Sequence, residues 1–146
     1  MQKRNHNNRK AFTMIEIIAV LVIVGLLASV ATTTFIGKIE KAKVDTTKAN
    51  LKQLSSAVLA FNLSTGRLPD EEEGLNALVE EPADVEGWDP EGYLMTDEVP
   101  LDGWKHEFEY LTGEEYSKGF VIISYGADGE EGGEGKNADL YSTDAN

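Results

Sequence analysis

The chain has 146 residues, no cysteine and a net charge of −13 at neutral pH. That length holds one modest domain plus an appendage. The acidic balance argues against a nucleic-acid partner, which needs a basic face, and no disulfide is available to supplement a thin core.

Charge is segregated along the chain. Residues 1–11 hold Lys3, Arg4, Arg9 and Lys10 and no acid. Residues 12–65 carry five lysines against Glu16, Glu40 and Asp45, whereas residues 66–146 carry 23 acids against four bases. A basic end ahead of an apolar segment is the pattern of an amino terminus kept on the cytoplasmic side of a membrane.

Of the 19 residues from Phe12 to Val30, only Thr13, Glu16, Gly25 and Ser29 are not clearly apolar. As a helix this stretch spans about 28 Å, close to a bilayer core of roughly 30 Å. The spacing therefore predicts a transmembrane and assembly segment over residues 12–34. Ala28-Ser29-Val30-Ala31 offers an alternative as a secretory cleavage site. Against it, the helical pattern runs straight through those residues, and a carboxylate precedes the apolar core.

Glu16 is the anomaly. An ionised group in mid-bilayer costs about 3 kcal/mol, less near the interface. A shallow position at the headgroups lowers that cost. So does cleavage between Ala11 and Phe12, which would leave an α-ammonium on Phe12 to meet the Glu16 of a neighbouring copy. In that reading Glu16 is an assembly residue.

The run Lys10-Ala11-Phe12-Thr13-Met14-Ile15-Glu16 ahead of an apolar helix resembles the processing site of type IV pilins and type II secretion pseudopilins. The resemblance implies removal of a leader at 1–11 by a prepilin peptidase and N-methylation of Phe12. Ala11 stands where that family usually has glycine.

Helical character continues beyond the apolar run. Ile39, Ala42, Ala49, Leu51, Leu54, Val58 and Phe61 recur mostly at three- and four-residue spacings, with Lys38, Lys41, Lys43, Lys48 and Lys52 available to solvent. One helix over 12–65 would reach about 80 Å. Its outer half must bury the Leu51/Leu54/Val58/Phe61 stripe, most simply on a small sheet. Ser64-Thr65-Gly66 followed by Pro69 is a helix stop.

The remainder, 66–146, reads as a globular head with loops. Glu73 to Val79 predicts a short amphipathic helix ended by Pro82. Phe108 and Tyr110 alternate with Glu107 and Glu109, a half-buried strand, and Phe120-Val121-Ile122-Ile123 is a more buried one. The fold class expected is α+β, a long amino-terminal helix packed on a small antiparallel sheet. Glu73-Gly74-Leu75-x-Ala77-Leu78-Val79-x-x-Pro82 and Leu101-Asp102-Gly103-Trp104 resemble the major pseudopilin family of type II secretion, with Gly103 and Lys105 in place of its proline and glycine.

Residues 124–140 hold five glycines together with Asp128, Glu131, Glu134, Asn137 and Asp139. Such a stretch turns tightly and offers hard oxygen ligands, with no histidine or cysteine to attract zinc. It reads either as a solvated acidic tail or as a calcium loop, since calcium takes six to eight oxygens, backbone carbonyls included. The pseudopilin resemblance implies the second: one Ca2+ ion held by Asp128, Asp139 and the carbonyls of Tyr125 and Gly133, with Glu134 and Asn137 as further ligands.

Nothing in the chain is arranged for catalysis. His6 lies in the leader, His106 beside a wet strand, and no phosphate-cradling glycine loop precedes a helix. Trp88 and Trp104 read as packing aromatics. The sequence thus points to a structural subunit and not an enzyme. What the resemblance implies is a major pseudopilin in a short helical periplasmic filament that drives export. It starts as a single-pass inner-membrane protein with its head in the periplasm. Its partners would be copies of itself, minor pseudopilins, the prepilin peptidase and the inner-membrane platform, with no nucleic acid or small-molecule substrate. A type IV pilin for adhesion or motility and a monomeric, membrane-anchored calcium-binding module are the alternatives.

Overall fold

The computed structural model describes residues 12–144, with residues 30–35 described in backbone only; the leader, Ala11 included, lies outside the described residues. Helix α1 spans Met14–Thr65, followed by a 3-10 helix at Gly74–Leu78 and strands β1 (Glu109–Thr112) and β2 (Phe120–Ser124). A 3-10 turn at Gly135–Asn137 leads into strand β3 (Leu140–Tyr141). The chain divides into two units, one ending at Lys38 and one beginning at Ile39.

In the first unit every side chain from Phe12 to Ser29 is exposed, on all sides of α1. A helix apolar all round is one whose burial must come from elsewhere. Among the described residues no helix is long and apolar enough to cross a membrane. The expected segment 12–34 runs past residue 29 into positions whose side chains lie outside the described residues.

The second unit has a conventional core. Leu51, Leu54, Val58 and Phe61 are fully buried, one turn after another along α1, as their spacing requires. They pack with Leu75 and Leu78 of the 3-10 helix and with Tyr110, Phe120 and Ile122 of the sheet. Each such side chain contributes about 1.5–3 kcal/mol of transfer free energy. The helix ends where Gly66 turns left-handed at φ 77° and donates its N–H to the Asn62 carbonyl.

The sheet is antiparallel in the order β1-β2-β3. Tyr110 pairs with Ile122 and Thr112 with Phe120, while Ile123 pairs with Tyr141 and Ser124 with Leu140. The third strand was not among the expected elements. Neither was the exposure of Ile39, Ala42 and Ala49, which the spacing had grouped with the core stripe. At 3.6 residues per turn they lie roughly 80–160° round the helix from that stripe, and the buried residue between them is Thr47.

Candidate functional site

Thr13-Met14-Ile15-Glu16 builds the start of α1. The Glu16 carboxylate accepts the Thr13 N–H at 3.4 Å and its hydroxyl at 3.5 Å, while the Thr13 hydroxyl accepts the Glu16 N–H at 3.3 Å. This reciprocal exchange is a capping box, and it satisfies donors that helix ends otherwise leave open. The Thr-x-x-Glu spacing is the sequence signal for it. The bonds are long and exposed, so Glu16 is oriented along the first turn without being consumed there.

In the carboxyl-terminal loop the two ends are drawn together by backbone and carboxylate contacts. Ala127 N–H donates to the Lys136 carbonyl at 3.0 Å, and both oxygens of Asp139 accept the Gly132 N–H, at 3.1 and 3.0 Å. The Tyr141 hydroxyl donates to Asp139 at 3.2 Å. Asp128 accepts the Glu130 N–H at 3.4 Å in an Asx turn. Gly133 sits so close to Asn137 that a Cβ there would lie 2.6 Å from the Asn137 carbonyl oxygen. Asn137 in turn donates its N–H to the Glu134 carbonyl at 3.2 Å.

Tyr125 directs its hydroxyl onto Glu109, which pushes the phenol up to about 12. Burial, and then the bond to Asp139, raises Tyr141. Among the described residues no three histidine, cysteine or acidic side chains converge as a metal cage. The donor chemistry nevertheless suits a hard cation: residues 128–139 hold five acids against Lys136 alone.

Sequence reasoning assigned no role to Asp102, which is the polar hub of this unit and is 2 % exposed. One carboxylate oxygen accepts the N–H groups of Trp104 and His106, both at 2.8 Å, and the other accepts the Ser124 hydroxyl at 2.7 Å. His106 Nδ1 lies 3.0 Å from the Gly126 carbonyl oxygen. The hub thereby ties the loop before β1 to the end of β2 and the entry to the acidic loop. Its neighbour Gly103 donates its N–H to Thr47 at 2.9 Å. It also passes so near the helix that a Cβ would overlap the Lys43 carbonyl. Trp104 completes the junction by donating to Glu40 at 3.1 Å, and that bond lowers the Glu40 carboxyl from its ordinary value.

These elements have close parallels in known proteins. Residues 34–143 match the family described as type II secretion system (T2SS), protein G, and residues 6–32 match the prokaryotic N-terminal methylation motif. The type II secretion system core protein G of Pseudomonas aeruginosa is 34 % identical, across 99 % of both chains. Its counterpart from Vibrio cholerae is also 34 % identical, across 88 % of each. The crystal structure of the major pseudopilin from the type 2 secretion system of enterohaemorrhagic Escherichia coli superimposes with a TM-score of 0.60. It is 28 % identical, covering 73 % of this chain and 90 % of that one. The chain therefore belongs to the type II secretion system protein G family.

Proposed function

We infer that this chain is the major pseudopilin of a type II secretion system, the structural subunit of a short helical periplasmic filament whose growth drives protein export. Its role is assembly and not catalysis. The observation that carries the reading is the apolar first stretch of α1, exposed on every side and interrupted by the single charge of Glu16. Such a surface is stable only in lipid or against other copies, and the chain would pass from one to the other: anchored in the inner membrane first, then packed in the filament.

Cleavage after Ala11 would create the Phe12 ammonium, and Glu16 of a neighbouring copy would neutralise it in the dry interior of the stack. The pairing favours polymer over monomer because each charge alone is expensive to desolvate. The partners this implies are the peptidase that cuts the leader, minor pseudopilins and the inner-membrane platform. One calcium ion would close the acidic loop through Asp128, Asp139 and the Tyr125 and Gly133 carbonyls, with Glu134 or Asn137 completing the shell. Support for the ion comes from the hard-oxygen donor set and its excess of negative charge.

Mass spectrometry of the protein purified from its own membrane tests the reading. The mature chain should begin at Phe12 with one added methyl group, and Glu16→Ala should be cleaved yet form no filaments by electron microscopy. A native chain still starting at Met1 defeats the pseudopilin reading, and filaments built from Glu16→Ala defeat the charge pairing.

A further inference from the structure

We propose that the flank of α1 turned away from the core docks the loop around Met95 of a second copy of this chain, an inference that rests on the filament reading above. The receiving side is a groove of about 520 Å³ between α1 and the loop at residues 100–103, lined by Ile39, Ala42, Thr46, Asn50, Pro100 and Leu101. Ile39 is 51 % exposed and Leu101 40 %, and Ala42 and Thr46 also face solvent. The groove's walls are held at a fixed separation. Asn50 Nδ2 donates to the Leu101 carbonyl at 2.9 Å, and the Gly103 N–H bonds Thr47 one turn earlier on α1.

The inserting side is a knob. Met95 is 99 % exposed, more than any other large apolar side chain described. Its loop is anchored on both sides, by the Tyr93 N–H to the Leu78 carbonyl at 2.8 Å and by Leu94 and Val99, which pack against the core before and after it. An unbranched thioether on an anchored loop suits an apolar groove whose shape it must follow.

Charge selects the same partner. Two cations line the groove, Lys43 on α1 and Lys105 on the facing loop. Residues 89–98 carry Asp89, Glu91, Asp97 and Glu98 and no base. Copies of so acidic a chain repel one another, and a contact that sets Lys43 and Lys105 against Asp97 and Glu98 offsets that repulsion and fixes its register. Because groove and knob are different patches of one chain, the contact is heterologous and propagates from copy to copy.

The absence of cysteine from the chain makes the contact directly readable. Two full-length chains of different size, one Met95→Cys and the other Ala42→Cys, are co-expressed in the native membrane and oxidised, and the filament fraction is run without reductant. Each copy carries one thiol, so every disulfide lies between copies. The expected result is a heterodimer band several-fold stronger than either homodimer, weakened several-fold by Lys105→Glu and restored by adding Glu98→Lys to the partner. Thr46→Cys against Thr96→Cys provides an independent pair, both positions being exposed. Heterodimer no stronger than homodimer in a fraction that contains filaments overturns the docking and leaves the filament reading standing. Absence of both heterodimer and filaments overturns the two together.

Discussion

Asp102 is buried and holds three donors from two separate segments. A carboxylate in a dry site is tolerated only when its lone pairs are satisfied, and here the same bonds fix the path of the chain into the acidic loop. Asp102→Ala strands two backbone N–H groups and the Ser124 hydroxyl. It should lower unfolding stability by about 3 kcal/mol, read as a fall in the urea midpoint of the full chain in detergent. Asp102→Asn keeps acceptor capacity on one oxygen only and should lose less. Equal midpoints for wild type and Asp102→Ala would refute the hub. From sequence, Asp-Gly beside an aromatic announces a turn and nothing more. That the turn's aspartate faces inward depends on Gly103 touching the helix at Lys43, a contact between residues 60 positions apart in the chain.

Between elements, the exit from α1 is clamped to the 3-10 helix by Arg67 and Glu73, which exchange two bonds of 2.7 and 2.6 Å. Arg67 also lies 5.6 Å above the Phe61 ring, and the carboxylates of Glu73 and Asp70 each accept the other residue's backbone N–H. The guanidinium, more than the Asp70 N–H, holds the Glu73 carboxyl below its ordinary 4.5. A depressed carboxylate stabilises the fold above its unfolded value and ceases to do so as pH falls through its folded value. Glu73→Gln should therefore cost about 1 kcal/mol at pH 7, modest because Arg67 is partly exposed. The gap between the two urea midpoints should narrow as the pH falls below the ordinary carboxylate range; a gap that is constant with pH would show that the ion pair contributes nothing. Elements with a period were legible in advance: Leu51, Leu54, Val58 and Phe61 announce a helix face, and Phe120 to Ile123 a buried strand. Strand β3 was not, because two residues have no period and Leu140–Tyr141 acquires its identity only from pairing with Ser124 and Ile123. Ile39, Ala42 and Ala49 misled for a related reason, since spacing identifies apolar faces without saying which one the chain itself covers.

At the scale of the molecule, the acidic loop decides whether the carboxyl terminus belongs to the fold. Strand β3 is held by its pairing with β2, by the Ser142 N–H to the Ile122 carbonyl at 2.9 Å and by the Ile122 N–H to the Ser142 hydroxyl at 3.0 Å. Those few bonds must offset the entropy of closing the stretch between β2 and β3, which carries five mutually repelling acids against one lysine. A calcium ion bound there, as proposed, would remove both costs at once, cancelling the repulsion and cross-linking Asp128 to Asp139. The loop's tight turns and excess of acid were legible in the sequence. Its closure was not legible, since that depends on Gly126 fitting beneath residues 136–138, where a Cβ would approach backbone atoms to 2.9 Å. Calcium at about a hundred-fold excess over its Kd adds about 2.7 kcal/mol to a fold that binds it, or about 10 °C in Tm for a domain of this size. Melting the full chain in detergent with calcium and with a chelator should show that separation in wild type and none in Asp128→Ala. Superimposed wild-type curves would mean that the loop closes on protein contacts alone, and β3 would then be stabilised by the Ser142 bonds without help from a metal.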